Sequence, residues 1–212
     1  MNPAGVAGPT SPNAGIDLYW LPLGAGGHSV RWNGRIYEAV VSRLERRTAA
    51  PLFHSALVVR LPPKRYVIEM TPVWPTTGSD RGVVAEGAVG SRRLGRLRLF
   101  RYEVRCWPDG MIGDVREAVD SPQLLSTDPQ RCRQLLTLLP GVPAPVWGRD
   151  ELAAGEMWNS NSVTSWALVR AGLDLDEVRP PGGGRAPGWD AGLVVGRRGR
   201  AQTASVVDEQ LT

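Results

Sequence analysis

The chain of 212 residues has few of the residues that build metal centres and disulfide frameworks. Histidine occurs only as His28 and His54, and cysteine only as Cys106 and Cys132, with no C-x-x-C pair. Two isolated cysteines make neither a disulfide framework nor a zinc site. We therefore expect two reduced thiols packed in the core, no metal and no cofactor.

Long hydrophobic runs are also missing. No apolar stretch approaches the roughly 18 residues of a membrane-spanning helix, so we predict no membrane span. Residues 1–14 lack the basic start and apolar stretch of a secretory signal, and we interpret them as a disordered leader. The apolar share of 42% is enough for one core. The sequence thus predicts one cytoplasmic domain over residues 15–196, followed by a disordered tail over 197–212.

Lysine is nearly absent, because Lys64 is the only one, and the net charge of +4 therefore comes from arginine. Five arginines lie close together in the chain: Arg92, Arg93, Arg96, Arg98 and Arg101. Such a cluster can attract phosphate or carboxylate groups, although a solvated strand edge is the favoured interpretation. No zinc-finger, helix-turn-helix or RNA-binding signature accompanies it. We therefore predict no nucleic-acid partner.

Hydrophobic patterning predicts an α+β fold in which an antiparallel sheet packs against helices. We expect strands at 16–23, 54–61, 65–70, 97–107 and 191–195, and helices at 35–47, 114–119, 129–139 and 163–171. The short connection at 62–64 predicts a hairpin between the second and third strands.

The segment Gly155–Ser162, GEMWNSNS in one-letter code, carries the strongest functional pattern. It precedes a predicted helix, where free backbone N–H groups and the helix dipole favour negative charge. A nucleophile in this turn would gain an oxyanion site from those N–H groups. Asn and Ser are also favoured N-cap residues, but capping explains only one of the four polar residues at 159–162.

A serine nucleophile needs a base, and His54 is the better placed of the two histidines. His54 begins a predicted strand, and Glu69 lies near the end of the strand paired with it. A hairpin brings the two side by side, and their side chains can touch if the register agrees. This arrangement predicts the base and orienting acid of a triad in the order His54, Glu69, Ser160. A chance pairing explains the pattern equally well, and His28 is interpreted as a loop histidine.

Two short stretches, 53–72 and 157–171, resemble the lecithin retinol acyltransferase family. That family has a histidine at the beginning of one strand and a second histidine on the next. Its nucleophile follows at the start of a later helix, in an Asn-Cys-Glu-His-Phe-Val motif. The matching residues here are His54-Ser55-Ala56-Leu57-Val58-Val59, Tyr66-Val67-Ile68-Glu69-Met70-Thr71-Pro72 and Asn159-Ser160-Asn161-Ser162-Val163. The resemblance implies a circularly permuted papain-like (NlpC-type) fold. The GEMWNSNS string also resembles actinobacterial proteins of unassigned function, which implies no activity.

On this resemblance His54 is the general base, Glu69 its orienting partner and Ser160 the nucleophile. Ser160 stands where the family has cysteine, and a serine hydroxyl cannot form the thiolate–imidazolium pair of papain-like enzymes. Glu69 stands where the family has its second histidine, and a carboxylate fits a serine triad because it stabilises the imidazolium. The family's membrane tail is absent, which argues against membrane lipid substrates.

Two functions of different classes remain open. The first is a hydrolase or acyltransferase acting on an acyl, ester or amide group of a small-molecule or peptide substrate. Its site would comprise Ser160, His54 and Glu69, with Trp158, Asn159, Asn161 and Glu156 as substrate contacts. The second is a catalytically inactive papain-like domain that binds a peptide or acyl ligand. Contact between His54 and Ser160 in one cleft favours the first function, and burial of His54 away from Ser160 favours the second.

Overall fold

A computed structural model of the chain describes residues 13–23, 51–73 and 82–210, with side chains described as far as residue 201. Several expectations lie outside these ranges. They are the leader up to residue 12, the helix at 35–47 and the environment of His28.

Six antiparallel strands form one sheet in the described part of the chain. They are β1 (Gly15–Pro22), β2 (Phe53–Leu61), β3 (Lys64–Pro72), β4 (Val83–Ala88), β5 (Arg101–Pro108) and β6 (Val119–Ser126). Their order across the sheet is β4-β5-β3-β2-β1-β6. Leu57 of β2 lies opposite Leu18 of β1 on one side and Ile68 of β3 on the other. The first three expected strands and the hairpin at 62–64 are therefore confirmed.

Three α-helices follow the sheet: α1 (Pro129–Leu138), α2 (Ser160–Arg170) and α3 (Trp189–Gln210). At the start of α1 the Asp128 carboxylate accepts a 2.7 Å hydrogen bond from the backbone N–H of Gln130, as its Asp-Pro start predicts. The α+β class is confirmed. Among the described helices none has the length and apolar character to cross a membrane.

The sequence patterns did not predict β4 and β6, and one expected strand is shorter than predicted. The strand expected from residue 97 begins only at Arg101, because 94–96 and 98–100 form 3-10 turns. In place of the helix expected at 114–119, the structure has only a 3-10 turn, Val115–Glu117. β6 contains Pro122, a residue that normally argues against a strand but is tolerated here because β6 lies at the sheet edge.

The strand expected at 191–195 is wrong, because these residues belong to α3. Gly192 and Gly196 lie one helical turn apart against α2. A Cβ at Gly192 would overlap Ser165 Oγ, and one at Gly196 would lie 3.1 Å from Val169. Close packing of the two helices therefore outweighs the low helix propensity of glycine. α3 continues to Gln210, so the expected domain end at residue 196 falls inside a helix.

The two faces of the sheet contact different parts of the molecule. The face towards the helices carries Leu18, Trp20, Leu57, Val59 and Ile68, which belong to the main core. The other face carries a smaller cluster of Leu21, Ala56, Val58 and Val67, joined by Ile112. Because side chains alternate along a strand, Ser55 of β2 faces the helices and His54 faces the smaller cluster.

Candidate functional site

The first turn of α2 is closed by a reciprocal cap. Asn159 Oδ1 accepts hydrogen bonds from the backbone N–H of Asn161 (2.9 Å) and of Ser162 (3.4 Å). Ser162 Oγ in turn accepts a 3.0 Å hydrogen bond from the backbone N–H of Asn159. This is a capping box with asparagine at the N-cap. Two of the N–H groups that an oxyanion site would use are therefore already bonded within the motif.

Asn161 ties the motif to the sheet. Its Nδ2 donates to the carbonyl of Phe53 (3.0 Å) and to that of Pro187 (2.9 Å). Its Oδ1 accepts a 2.8 Å hydrogen bond from Ser55 Oγ. The side chain is buried, and β2, α2 and the loop before α3 all meet at this one amide. Its place in the structure is that of a cross-link.

The loop before α3 is held by the other motif residues. Asn159 Nδ2 donates to the carbonyl of Pro187 (2.8 Å), and Ser162 Oγ donates to that of Gly188 (2.7 Å). Glu156 Oε2 accepts a 2.9 Å hydrogen bond from the backbone N–H of Gly188. Gly188 has a φ of +83°, and a Cβ there would lie 2.5 Å from Asn159 Oδ1. The polar run thus fixes the position of α3 relative to α2.

Ser160 and Trp158 take no part in these bonds. Ser160, the first residue of α2, is 8% exposed, and its hydroxyl has no hydrogen-bond partner within the described residues. The Trp158 side chain is 1% exposed and belongs to the main core, so it does not form a pocket wall.

His54 lies across the sheet from Ser160. Together with Leu21, Ile112 and Asp114 it lines a small cavity of about 50 Å³ on the face opposite α2. Its Nε2 is shielded from solvent and has no hydrogen-bond partner in the described part of the chain. Burial lowers the pKa of His54 from 6.5 to about 4, so the imidazole is neutral at pH 7.

Glu69 lines the same cavity as His54, but because Leu57 pairs with Ile68, Glu69 lies diagonal to His54 and not directly opposite it. Its charge partner is an arginine, however, since Arg105 Nη1 lies 3.6 Å from Glu69 Oε1. Arg105 also bonds through Nε, at 3.0 Å, to Glu103, which is 1% exposed. Burial raises the pKa of Glu69, Arg105 lowers it, and the negative charges of Asp114 and Glu103 raise it further.

The three residues of the expected triad therefore do not converge. His54 and Glu69 share a cavity on one face of the sheet, while Ser160 begins the helix packed against the other face. A general base must lie within hydrogen-bonding reach of the hydroxyl, or one water from it, and the sheet separates these two groups. His28, the other histidine, lies outside the described residues.

No family model, curated protein or solved structure matches the chain. The resemblance to permuted papain-like proteins therefore stays a prediction. Among the described residues, no group of three or more His, Cys, Asp or Glu side chains is arranged to hold a metal ion.

A larger cleft, of about 430 Å³, lies beside the start of α3. Its apolar lining comes from Leu175, Val178, Pro180, Pro187, Trp189 and Leu193, and its charged lining from Glu156, Asp176, Arg179, Arg185, Asp190 and Arg197. Of the site residues expected from the sequence, Glu156 alone lines this cleft within the described structure. The remaining lining residues are spread over 175–197, and only the folding of the 175–188 loop against α3 brings them together.

The arginines of the cleft differ in how they are paired. Arg197 Nη2 lies 2.7 Å from Asp176 Oδ1, an exposed ion pair. Arg179 donates to the backbone carbonyl of Val178 (2.9 Å) and makes no ion pair within the described residues. Arg185 is exposed, and its side chain makes neither a hydrogen bond nor an ion pair within the described ranges. Two guanidinium groups thus remain available to a ligand.

The carboxylates of the cleft are partly desolvated. Burial is the main cause that raises the pKa of Glu156, and the negative charge of Asp190 adds to it. Backbone hydrogen bonds from Gly188 and Asp190, and the positive charge of Arg185, act in the opposite direction. Asp190 itself is exposed at the first turn of α3. The cleft therefore offers groups of both charges above an apolar surface.

Proposed function

We propose that this protein is a non-catalytic domain that binds a short peptide in the cleft beside α3. The observation that carries the proposal is the separation of His54 and Ser160 by the sheet. Without a base, a serine hydroxyl is not a nucleophile at neutral pH. Among the described residues no other histidine is present to replace His54.

The use of the motif supports the same function. Asn159, Asn161 and Ser162 direct their polar groups to backbone and side-chain atoms of the protein itself. Substrate contacts would need these groups to be free. The motif is better explained as the framework that holds α3, and hence one wall of the cleft, in place.

The mixed charge of the cleft favours a peptide over a simple acyl chain. An acyl chain would cover the apolar lining but offer no negative group to Arg179 and Arg185. A peptide carboxylate can bind such guanidinium groups through paired hydrogen bonds. A peptide also supplies an ammonium group for Glu156 or Asp190 and an apolar side chain for the surface near Trp189. The volume is within the range of about 300–1,000 Å³ typical of small-ligand sites.

Reaction with a fluorophosphonate probe tests the absence of catalysis. We expect the wild type and Ser160→Ala to show the same background labelling, because no base activates the hydroxyl. Labelling that disappears in both Ser160→Ala and His54→Gln would overturn the proposal in favour of a serine hydrolase.

Titration with a defined peptide tests the binding site. The probe is the tripeptide Arg-Leu-Ala with a free carboxylate, compared with its C-terminal amide, and the readout is the NMR signal of the Trp189 indole N–H. We expect a saturable shift that weakens at least about fivefold with the amide and in Arg185→Gln, because a charged hydrogen bond is lost. Arg133→Gln, an exposed arginine on α1, is the matched control. No saturable shift with either peptide would contradict the proposed ligand.

A further inference from the structure

Residues 91–100, within the connection from β4 to β5, are called here the Arg-Leu segment; their sequence is SRRLGRLRLF. It forms two consecutive 3-10 turns, Leu94–Arg96 and Arg98–Phe100. The backbone N–H of Leu97 donates to the carbonyl of Leu94, and that of Phe100 to the carbonyl of Leu97, both at 2.9 Å. The segment therefore has a defined conformation next to β4, which is an edge strand of the sheet.

Three leucines of this segment face solvent. Leu94 is 42% exposed, and Leu97 and Leu99 are each 58% exposed. A single exposed leucine is ordinary on a protein surface, but three within six residues form an apolar patch. Such a patch indicates an interaction surface.

Three of the four arginines of the segment are not neutralised within the described residues. Arg92 makes a two-pronged ion pair with Glu151, with both N···O distances 3.0 Å. Arg93, Arg96 and Arg98 are exposed and make no side-chain hydrogen bond or ion pair within the described part of the chain. Residues 89–102 contain no Asp or Glu. Three positive charges therefore lie beside the three leucines.

Leucines and arginines alternate along the segment. The two 3-10 turns are separated by Leu97, whose backbone is extended, with φ −93° and ψ 125°. Three leucines and three arginines are thus interleaved within residues 93–99.

The segment is also fastened to the rest of the protein. A Cβ at Gly95 would lie 2.5 Å from the Cβ of Ala88, so the segment rests directly on β4. The pair of Arg92 with Glu151 anchors its first residues, and Arg149 Nε donates a 2.5 Å hydrogen bond to the carbonyl of Gly90. The leucines are exposed on a fixed support, and no local rearrangement is needed to present them.

We propose that the Arg-Leu segment docks the protein on the surface of an anionic lipid bilayer. The leucines enter the boundary between headgroups and acyl chains, and Arg93, Arg96 and Arg98 bind lipid phosphates and carboxylates. This partner explains the exposed leucines and the unpaired arginines together. A single-stranded nucleic acid would instead require exposed aromatic side chains for base stacking. The segment's one aromatic residue, Phe100, is half-buried.

The test is cosedimentation of the full chain with vesicles of phosphatidylcholine alone or with about one third phosphatidylserine. We expect binding only to the anionic vesicles. The triple variant R93Q/R96Q/R98Q should lose about 100-fold in partition coefficient, since each basic residue near the surface contributes about fivefold. L94S/L97S/L99S should also bind more weakly, with the residual binding fully removed by salt. The matched control R116Q/R131Q/R133Q should bind as the wild type does.

Thermal unfolding of each variant verifies that it is folded before its binding is compared. Absence of binding to anionic vesicles would overturn the proposal. Full binding by the leucine variant would also overturn it, because charge attraction alone would then explain the binding. Equal binding to soluble poly-glutamate or to an oligonucleotide would also overturn it, in favour of an acidic macromolecule. Peptide binding in the cleft should be unchanged in all variants.

Discussion

Ser55 Oγ donates a 2.8 Å hydrogen bond to Oδ1 of Asn161, so the residue next to His54 contacts the polar motif and His54 does not. Neighbouring residues of a strand point to opposite faces, and the bond therefore directs the imidazole away from α2. The proximity of the histidine strand to the Asn-Ser motif, which the sequence suggested, is real at the level of the backbone. The side chains in contact, however, are Ser55 and Asn161, and not His54 and Ser160.

Asn161→Ala should lower the free energy of unfolding by about 2–4 kcal/mol, because it removes several buried hydrogen bonds and leaves Ser55 and two carbonyls without their partner. Ser160→Ala should cost less than about 0.5 kcal/mol, because its hydroxyl has no hydrogen-bond partner to lose among the described residues. Urea unfolding of the two variants measures both values. Equal losses at the two positions would contradict the assigned contacts.

Gly188→Ala should destabilise the protein by about 2–4 kcal/mol, since its positive φ strains an L-residue and its new Cβ meets Asn159. Gly155→Ala is the matched control, because Gly155 has a φ of +89° with no atom near the Cβ position. The control should show only the conformational strain, about 1 kcal/mol. Chemical denaturation that gives equal losses would show that the contact with Asn159 is unimportant.

The half-buried His54, whose Nε2 is shielded from solvent, should make stability depend on pH. Its pKa is about 4 in the folded protein against 6.5 ordinarily, so the unfolded chain takes up the proton first as the pH falls. The contribution of the neutral imidazole to the free energy of unfolding is complete above pH 6.5. It is lost as the pH falls towards 4, by up to about 3 kcal/mol.

The measurement compares unfolding free energies of the wild type and His54→Gln at several pH values. The curve of His54→Gln is subtracted because Glu69 also titrates. The raised pKa of Glu69 changes stability in the opposite direction, since at this residue the folded state binds the proton first as the pH falls. Arg105 and Asp114, which also act on Glu69, are present in both proteins. A difference between the two proteins that stays constant from about pH 7 to pH 4 would mean that the imidazole is accessible to solvent.

A cysteine introduced at Ser160 reports directly on the distance to the imidazole. The pH dependence of alkylation should give the same thiol pKa in Ser160→Cys and in Ser160→Cys/His54→Gln, because the sheet separates the two groups. The N-terminus of α2 lowers the pKa equally in both proteins. Burial raises the pKa of Cys106 to about 11, so this residue reacts slowly and provides an internal reference. A thiol pKa that rises when His54 is removed would show that the imidazole and residue 160 interact, as a catalytic pair requires.

Local chemistry in the sequence was enough to predict several elements. The hairpin follows from two apolar runs joined by three residues, and α1 follows from Asp128 and Pro129 at its start. The polar run at 159–162 predicted an N-cap, and Asn159 fills that position. In each case the interacting residues lie within a few positions of one another, so the pattern contains the whole interaction.

Elements that depend on distant partners were missed. α3 is helical although Gly192, Gly196 and Gly199 weaken it locally, because these glycines let it approach α2 closely. The cleft beside α3 has the same origin, since its charged residues converge only after the 175–188 loop has folded against the helix.

The sequence by itself determined that His54 begins a strand, that Glu69 lies on the paired strand and that Ser160 lies in the turn at the start of a helix. Only the tertiary structure decided which face of the sheet that helix covers. The physical reason lies in β2, where Ala56, Leu57, Val58 and Val59 are all buried. A strand that is apolar on both faces has no alternation in its sequence to distinguish one face from the other. The bond between Ser55 and Asn161, formed across 106 positions of the chain, makes that distinction.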